Sequence, residues 1–112
     1  MANDAARAPA LLRRPLAATL HERASRARMR VRVVALTTTT VEFVAARSLP
    51  PGTRCTLTIR AAPPLDIDLT IAATASATRD LFSCTAAIVR VRDRDRANFE
   101  ALVERRRIAQ SA

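Results

Sequence analysis

Four arginines, Arg26, Arg28, Arg30 and Arg32, recur at every second position. That spacing lines one face of a strand with guanidinium groups, and guanidinium forks suit phosphates and carboxylates. Sites for single-stranded nucleic acid usually interleave stacking aromatics. None stands in this stretch, so we read the stripe as a solvated basic face, for which an acidic protein partner is as good a match as nucleic acid. Asp66 and Asp68 also share a strand face and could bind a metal or act as acid and base. Their alternation with Leu65, Ile67 and Leu69 marks a solvated face instead. His21 is the single histidine. It has no Cys or acid at ligand spacing, and neither it nor Ser25 has a positioned catalytic partner, so we read His21 as a surface or packing residue. Thr37–Thr40 offers four hydroxyls in a row. A phosphate cradle is one reading; a β-branched strand-and-bend segment is the one we adopt. Cys55 and Cys84 lack CxxC spacing and read as buried free thiols, neither a disulfide framework nor a zinc site.

The whole chain sets these groups in proportion. At 112 residues it makes one domain with one core. Apolar residues make up 49% but aromatics only 3%, so the core must be aliphatic with a few Phe. All 19 basic residues are Arg, and the net charge is +9. A GC-rich genome accounts for many individual arginines; the excess still favours polyanions, nucleotides or acidic protein surfaces. The N-terminus carries Asp4 and lacks an apolar run, so it does not read as a signal peptide. No stretch approaches membrane-spanning length. A cytoplasmic protein is the expectation.

Alternation and turn signals place the elements. Residues 1–14 form a flexible Ala/Arg-rich tail. A short strand is expected over Leu16–Arg23, a turn over Ala24–Arg28, and strands over Met29–Leu36 and Val41–Ala45. In Leu49-Pro50-Pro51-Gly52-Thr53, Pro51 presets the first corner of a type II turn and Gly52 permits the positive φ of the second. Strands over Arg54–Arg60, Leu65–Ile71 and Leu81–Val91 follow. The period then changes, and a helix is expected over Asp93–Arg107, with Asp93 or Asp95 capping its start. Phe99, Leu102 and Val103 form its apolar stripe, and Arg105–Arg107 lie at the negative end of its dipole. Residues 110–112 are expected to be a disordered end.

In this order the elements resemble a PilZ domain, the bacterial fold best known for binding cyclic di-GMP. The resemblance spans roughly residues 13–107. It rests on the Val41–Val44 strand running through Leu49–Thr53 into Arg54–Arg60, the alternating Leu65–Ile71 strand, and Ala87–Val91 leading into the Arg96–Val103 helix. It implies a mainly β fold: a small six-stranded antiparallel PilZ-like β-barrel with a C-terminal α-helix, the domain covering residues 15–109. Ligand-binding members of the family carry RxxxR before the first strand and [D/N]xSxxG between the second and third. Here the second motif falls on Ala35–Thr40: Ala35 replaces the acid, Thr37 the serine and Thr40 the glycine, so only the hydroxyl remains. The first falls on Arg13 or Arg14, with Ala17 and Ala18 four residues on. Arg26-Ala-Arg-Met-Arg30 matches by spacing alone.

The resemblance therefore implies a non-enzymatic PilZ-like adaptor. It would act through protein–protein interaction in bacterial signalling or motility, with degenerate cyclic di-GMP motifs and no cofactor. The alternative is a cyclic di-GMP receptor using a non-standard arginine site. A basic nucleic-acid-binding barrel is the third reading, and nucleic acid is not the expected partner. The candidate ligand- or partner-binding residues are Arg13, Arg14, Arg26, Arg30 and Thr37.

Overall fold

The computed structural model describes residues 11–61 and 63–111, and the side chains of residues 15–61 and 63–106. Residues 1–10 of the expected tail, and residue 112, lie outside the described residues. Six strands run in chain order: β1 Leu11–Glu22, β2 Arg28–Leu36, β3 Thr40–Ala45, β4 Arg54–Ile59, β5 Leu65–Thr78 and β6 Leu81–Val91; helix α1, Asp93–Ser111, follows. They close into an antiparallel barrel in the order β1-β2-β3-β6-β5-β4. The six-stranded antiparallel barrel with a C-terminal helix is thus the fold that the alternation and the family resemblance implied.

Closure depends on β1, which pairs with β2 on one side and with β4 on the other. The period of two then sorts every strand. On β4, Cys55, Leu57 and Ile59 point inward and are buried; on β5, Leu65, Ile67, Leu69 and Ile71 do the same. Phe43 from β3 and Cys84 and Ala86 from β6 complete the interior. Buried Phe99 and Leu102 join α1 to this core, and α1 packs against β1, β5 and β6.

The Pro51–Gly52 turn forms as its residues require. Gly52 has φ +90°, and the Thr53 amide donates to the Pro50 carbonyl at 3.2 Å, which is the closing bond of a type II turn. The Gly52 amide also donates to Ile71 O at 2.7 Å, and Ile71 N to Thr53 O at 2.9 Å. The turn therefore anchors β5 where its buried stretch ends.

Three boundaries differ from the alternation by more than one residue. β5 continues seven residues beyond Ile71, through Ala72–Thr78. These residues are small and almost all exposed, so they carry no inward–outward pattern; pairing with β6 makes them a strand. β1 begins at Leu11 rather than Leu16, again through pairing with β2. Helix α1 runs a turn past Arg107 to Ser111, so the arginine run precedes the last turn, which holds no basic residue. Asp93 and Asp95 do stand in its first turn, where negative charge complements the dipole.

At the β1–β2 turn Arg26 adopts φ +60°. An L-residue pays roughly 1–2 kcal/mol in the left-handed region, a cost glycine lacks. Arg26→Gly should therefore raise the unfolding free energy by up to about 1 kcal/mol, seen as a shifted urea midpoint at unchanged slope.

Cys55 and Cys84 are free and buried. Burial, reinforced by the charges of Glu22 and Cys84, pushes the Cys55 thiol from 9.0 up to about 11. Burial also raises Cys84, against lowering hydrogen bonds from Thr74 and Leu49. Because the folded chain holds both thiols neutral, they favour folding fully below the unfolded value of 9.0, and that contribution is lost as pH rises toward about 11. A thiol reagent at neutral pH should label neither cysteine in the folded protein and both in denaturant, and the thermal midpoint should fall between pH 9.0 and about 11.

Candidate functional site

The two ends of β2 separate the candidate residues. Thr37 follows its C-terminal end and Arg26 precedes its N-terminal end. At about 3.3 Å per residue, Arg28 and Thr37 lie roughly 30 Å apart along the strand direction.

The β2–β3 loop is built on the Thr37 hydroxyl. Its Oγ1 accepts from the Thr40 amide at 2.9 Å and the Thr39 amide at 3.2 Å, and pairs with Thr40 Oγ1 at 2.9 Å. The Thr37 amide donates to Thr40 O at 2.9 Å. This is a hydroxyl-capped turn, and it commits Thr37 to its own loop. Just before it, Val33 pairs with Phe43 and Ala35 with Glu42, which leaves Val34 as a bulge. A bulge re-aims the side chains that follow it, and here Ala35 and Leu36 are both only 3% exposed. Arg13 and Arg14 lie on the β1 backbone between Leu11, opposite Ala35, and Leu16, opposite Val33. Five steps of β1 there face two steps of β2, so this irregular stretch sits beside the Ala35 end of β2. The side chains of Arg13 and Arg14 lie outside the described residues.

Among the described residues, three concavities on the barrel exterior bear on these candidates. The first, about 550 Å³, is bordered by Arg30, Arg32, Arg60 and apolar groups including Val44 and Leu81. The second, about 610 Å³, is lined by His21, Arg23, Arg26, Arg28 and Thr56. The third, about 550 Å³, is lined by Arg23, Thr56, Asp68, Arg90, Arg92, Asp93 and Arg94. The second and third share Arg23 and Thr56, so they form one continuous depression. Arg30 and Arg26 thus open onto different concavities, and neither joins Thr37. The residues that the sequence reading left out are Arg90, Arg92 and Arg94. Their alternate spacing was visible, but what they face depends on the register of β5 against β6.

That register creates a lateral row. Arg28 pairs with His21, His21 with Thr56, Thr56 with Asp68, and Asp68 with Arg90. The Thr56 hydroxyl donates to Asp68 Oδ1 at 3.1 Å, and Thr58 to Asp66 Oδ1 at 2.7 Å. Asp66 also faces Arg92 at 3.6 Å. The two aspartates are thus half-buried acceptors, more engaged than a freely solvated pair. Among the described residues no group of three His, Cys, Asp or Glu side chains could hold a metal ion, and no helix is long and apolar enough to cross a membrane.

The architecture is that of a small closed antiparallel barrel with its surface polar groups arranged in rows and a helix at one end. No family model matches the sequence, and no curated protein is significantly similar to it. Among solved structures the chain is similar to the Bacillus subtilis inhibitor of motility, MotI/DgrA, with a TM-score of 0.70 and 12% sequence identity. The match covers 88% of this chain and 49% of that one, so the chain spans about half the length of the protein it resembles. At that identity the likeness is one of fold.

Thr37→Ala removes the acceptor for two loop amides and should cost about 1 kcal/mol of stability. Thr37→Ser keeps the oxygen and should restore most of it, as measured by urea unfolding.

Proposed function

We propose that this chain is a non-enzymatic PilZ-like adaptor that acts by binding another protein in bacterial signalling or motility control. The observation that carries the reading is Ala35. At the position where ligand-binding PilZ domains need an exposed acid to meet guanine, this chain has a methyl group that is only 3% exposed. It pairs with Glu42 directly after the bulge at Val34. The companion hydroxyl, Thr37, is spent on its own loop, and no glycine opens the approach at Thr40. The fold likeness to an inhibitor of motility supports the motility setting.

A cyclic di-GMP receptor with a non-standard arginine site is the second reading. It draws on one observation: the irregular stretch of β1 carrying Arg13 and Arg14 runs beside the altered loop.

Calorimetric titration with cyclic di-GMP at low and moderate salt separates the two. The adaptor reading expects no saturable heat at moderate salt. Saturable binding that survives moderate salt and disappears in an Arg13→Ala/Arg14→Ala variant would replace it with the receptor reading.

A further inference from the structure

The long depression at the β1–β2 turn and the β6–α1 junction is lined by six arginines: Arg23, Arg26, Arg28, Arg90, Arg92 and Arg94. Only Arg92 has an ion-pair partner among the described residues, Asp66 at 3.6 Å. Two acids share the lining. Asp68 accepts from Thr56, and Asp93 lies 4.0 Å from Arg96, on the helix. So six cations share the lining with only two carboxylates. Their sequence origins are far apart: three come from the first hairpin and three from the end of β6 and the start of α1. Crowding unpaired like charges works against folding, so a partner that supplies the missing carboxylates would gain from every arginine it neutralises.

We propose that this depression is the adaptor's docking surface, and that its partner presents an acidic protein segment. The row Arg28, His21, Thr56, Asp68, Arg90 crosses four strand spacings, about 19 Å around the barrel, the reach of roughly six extended residues. Arginine stands at each end of the row, with His21, Thr56 and Asp68 between. A segment with carboxylates near both ends would place each against a guanidinium fork. An acidic protein fits better than nucleic acid because no Phe, Tyr or Trp among the described residues lines the depression, and single-stranded nucleic acid sites rely on stacking. The depression is also at the opposite end of β2 from the Ala35–Thr40 loop, so this surface is separate from the position of the family's nucleotide motif.

The inference rests on the adaptor reading, and its test is independent of it. A fluorescein-labelled peptide of about ten residues, rich in Glu and Asp, is titrated with the full chain at about 150 mM salt, where charges beyond roughly 8 Å are screened. Two double variants of equal net charge are compared: Arg28→Gln/Arg90→Gln in the depression, and Arg32→Gln/Arg60→Gln around the first concavity. The surface predicts a loss of about tenfold or more in the first and less than about twofold in the second. Equal losses in both would reduce the effect to overall charge and overturn the site. A thymidine oligonucleotide of matched charge that binds more tightly than the peptide, through Arg28 and Arg90, would also overturn it and favour nucleic acid. Failure of either kind leaves the adaptor reading standing, whereas tight cyclic di-GMP binding removes the adaptor reading whatever the peptide does.

Discussion

The pairing of β1 with β4 is the interaction on which the rest depends. Residues Ala18–Glu22 hydrogen-bond to Cys55–Ile59 and convert an open six-stranded sheet into a barrel without lateral edges. An open sheet of this size would offer unpaired strand edges to other chains. Closure also creates the inside. With no Trp or Tyr in the chain, Leu, Ile and Val from every strand must meet across a narrow lumen, and Phe43 and Phe99 are the largest fully buried side chains of the core. Helix α1 is held by Phe99 and Leu102, with Val103 packed beside them; most of its other described side chains are exposed.

Closure has a second consequence on the outside. Once the registers of β2–β1, β1–β4, β4–β5 and β5–β6 are set, outward side chains line up in rows that run around the barrel. One row joins Arg28 to Arg90 through His21, Thr56 and Asp68; the next joins Arg30 to Asp66 through Thr19 and Thr58. The threonine–aspartate hydrogen bonds tie β4 to β5 within both rows, and arginine stands at both ends of the first. The molecule thus has a neutral, self-contained loop at one end of β2 and an arginine-lined depression at the other. An adaptor that lost its nucleotide chemistry could keep its barrel intact, because Ala35 is only 3% exposed and burying an ionised acid there without a partner would be costly.

Most of the architecture was legible along the chain. Arg54–Ile59 and Leu65–Ile71 alternate strictly, and both proved half-buried strands with those faces inward. Pro51–Gly52 formed the turn its φ preferences demand. The switch of period after Val91 marked the helix. The places where reading failed have one character. Ala72–Thr78 has two exposed faces and therefore no alternation, and Leu11–Pro15 is irregular against β2. In both, strand structure comes from the neighbour and not from the segment's own pattern. Thr37 was visible as a hydroxyl at a motif position, but whether that hydroxyl faces a ligand or caps its own loop is a matter of three-dimensional geometry.

The amino-acid sequence by itself determined which side chains point inward, where the chain turns, and that the surface would be cationic through arginine. These are local properties, set by the two-residue period of a strand and the φ limits of Pro and Gly. Only the tertiary structure decided which arginines share a site. Arg23, Arg26 and Arg28 lie more than sixty residues from Arg90, Arg92 and Arg94 in the chain. The register of four strand pairs brings them to one depression, and register is fixed by how the inward residues of all six strands pack together when the barrel closes. No single segment carries that information, because a shift of two residues in any pairing would preserve its alternation while moving its charges elsewhere on the surface.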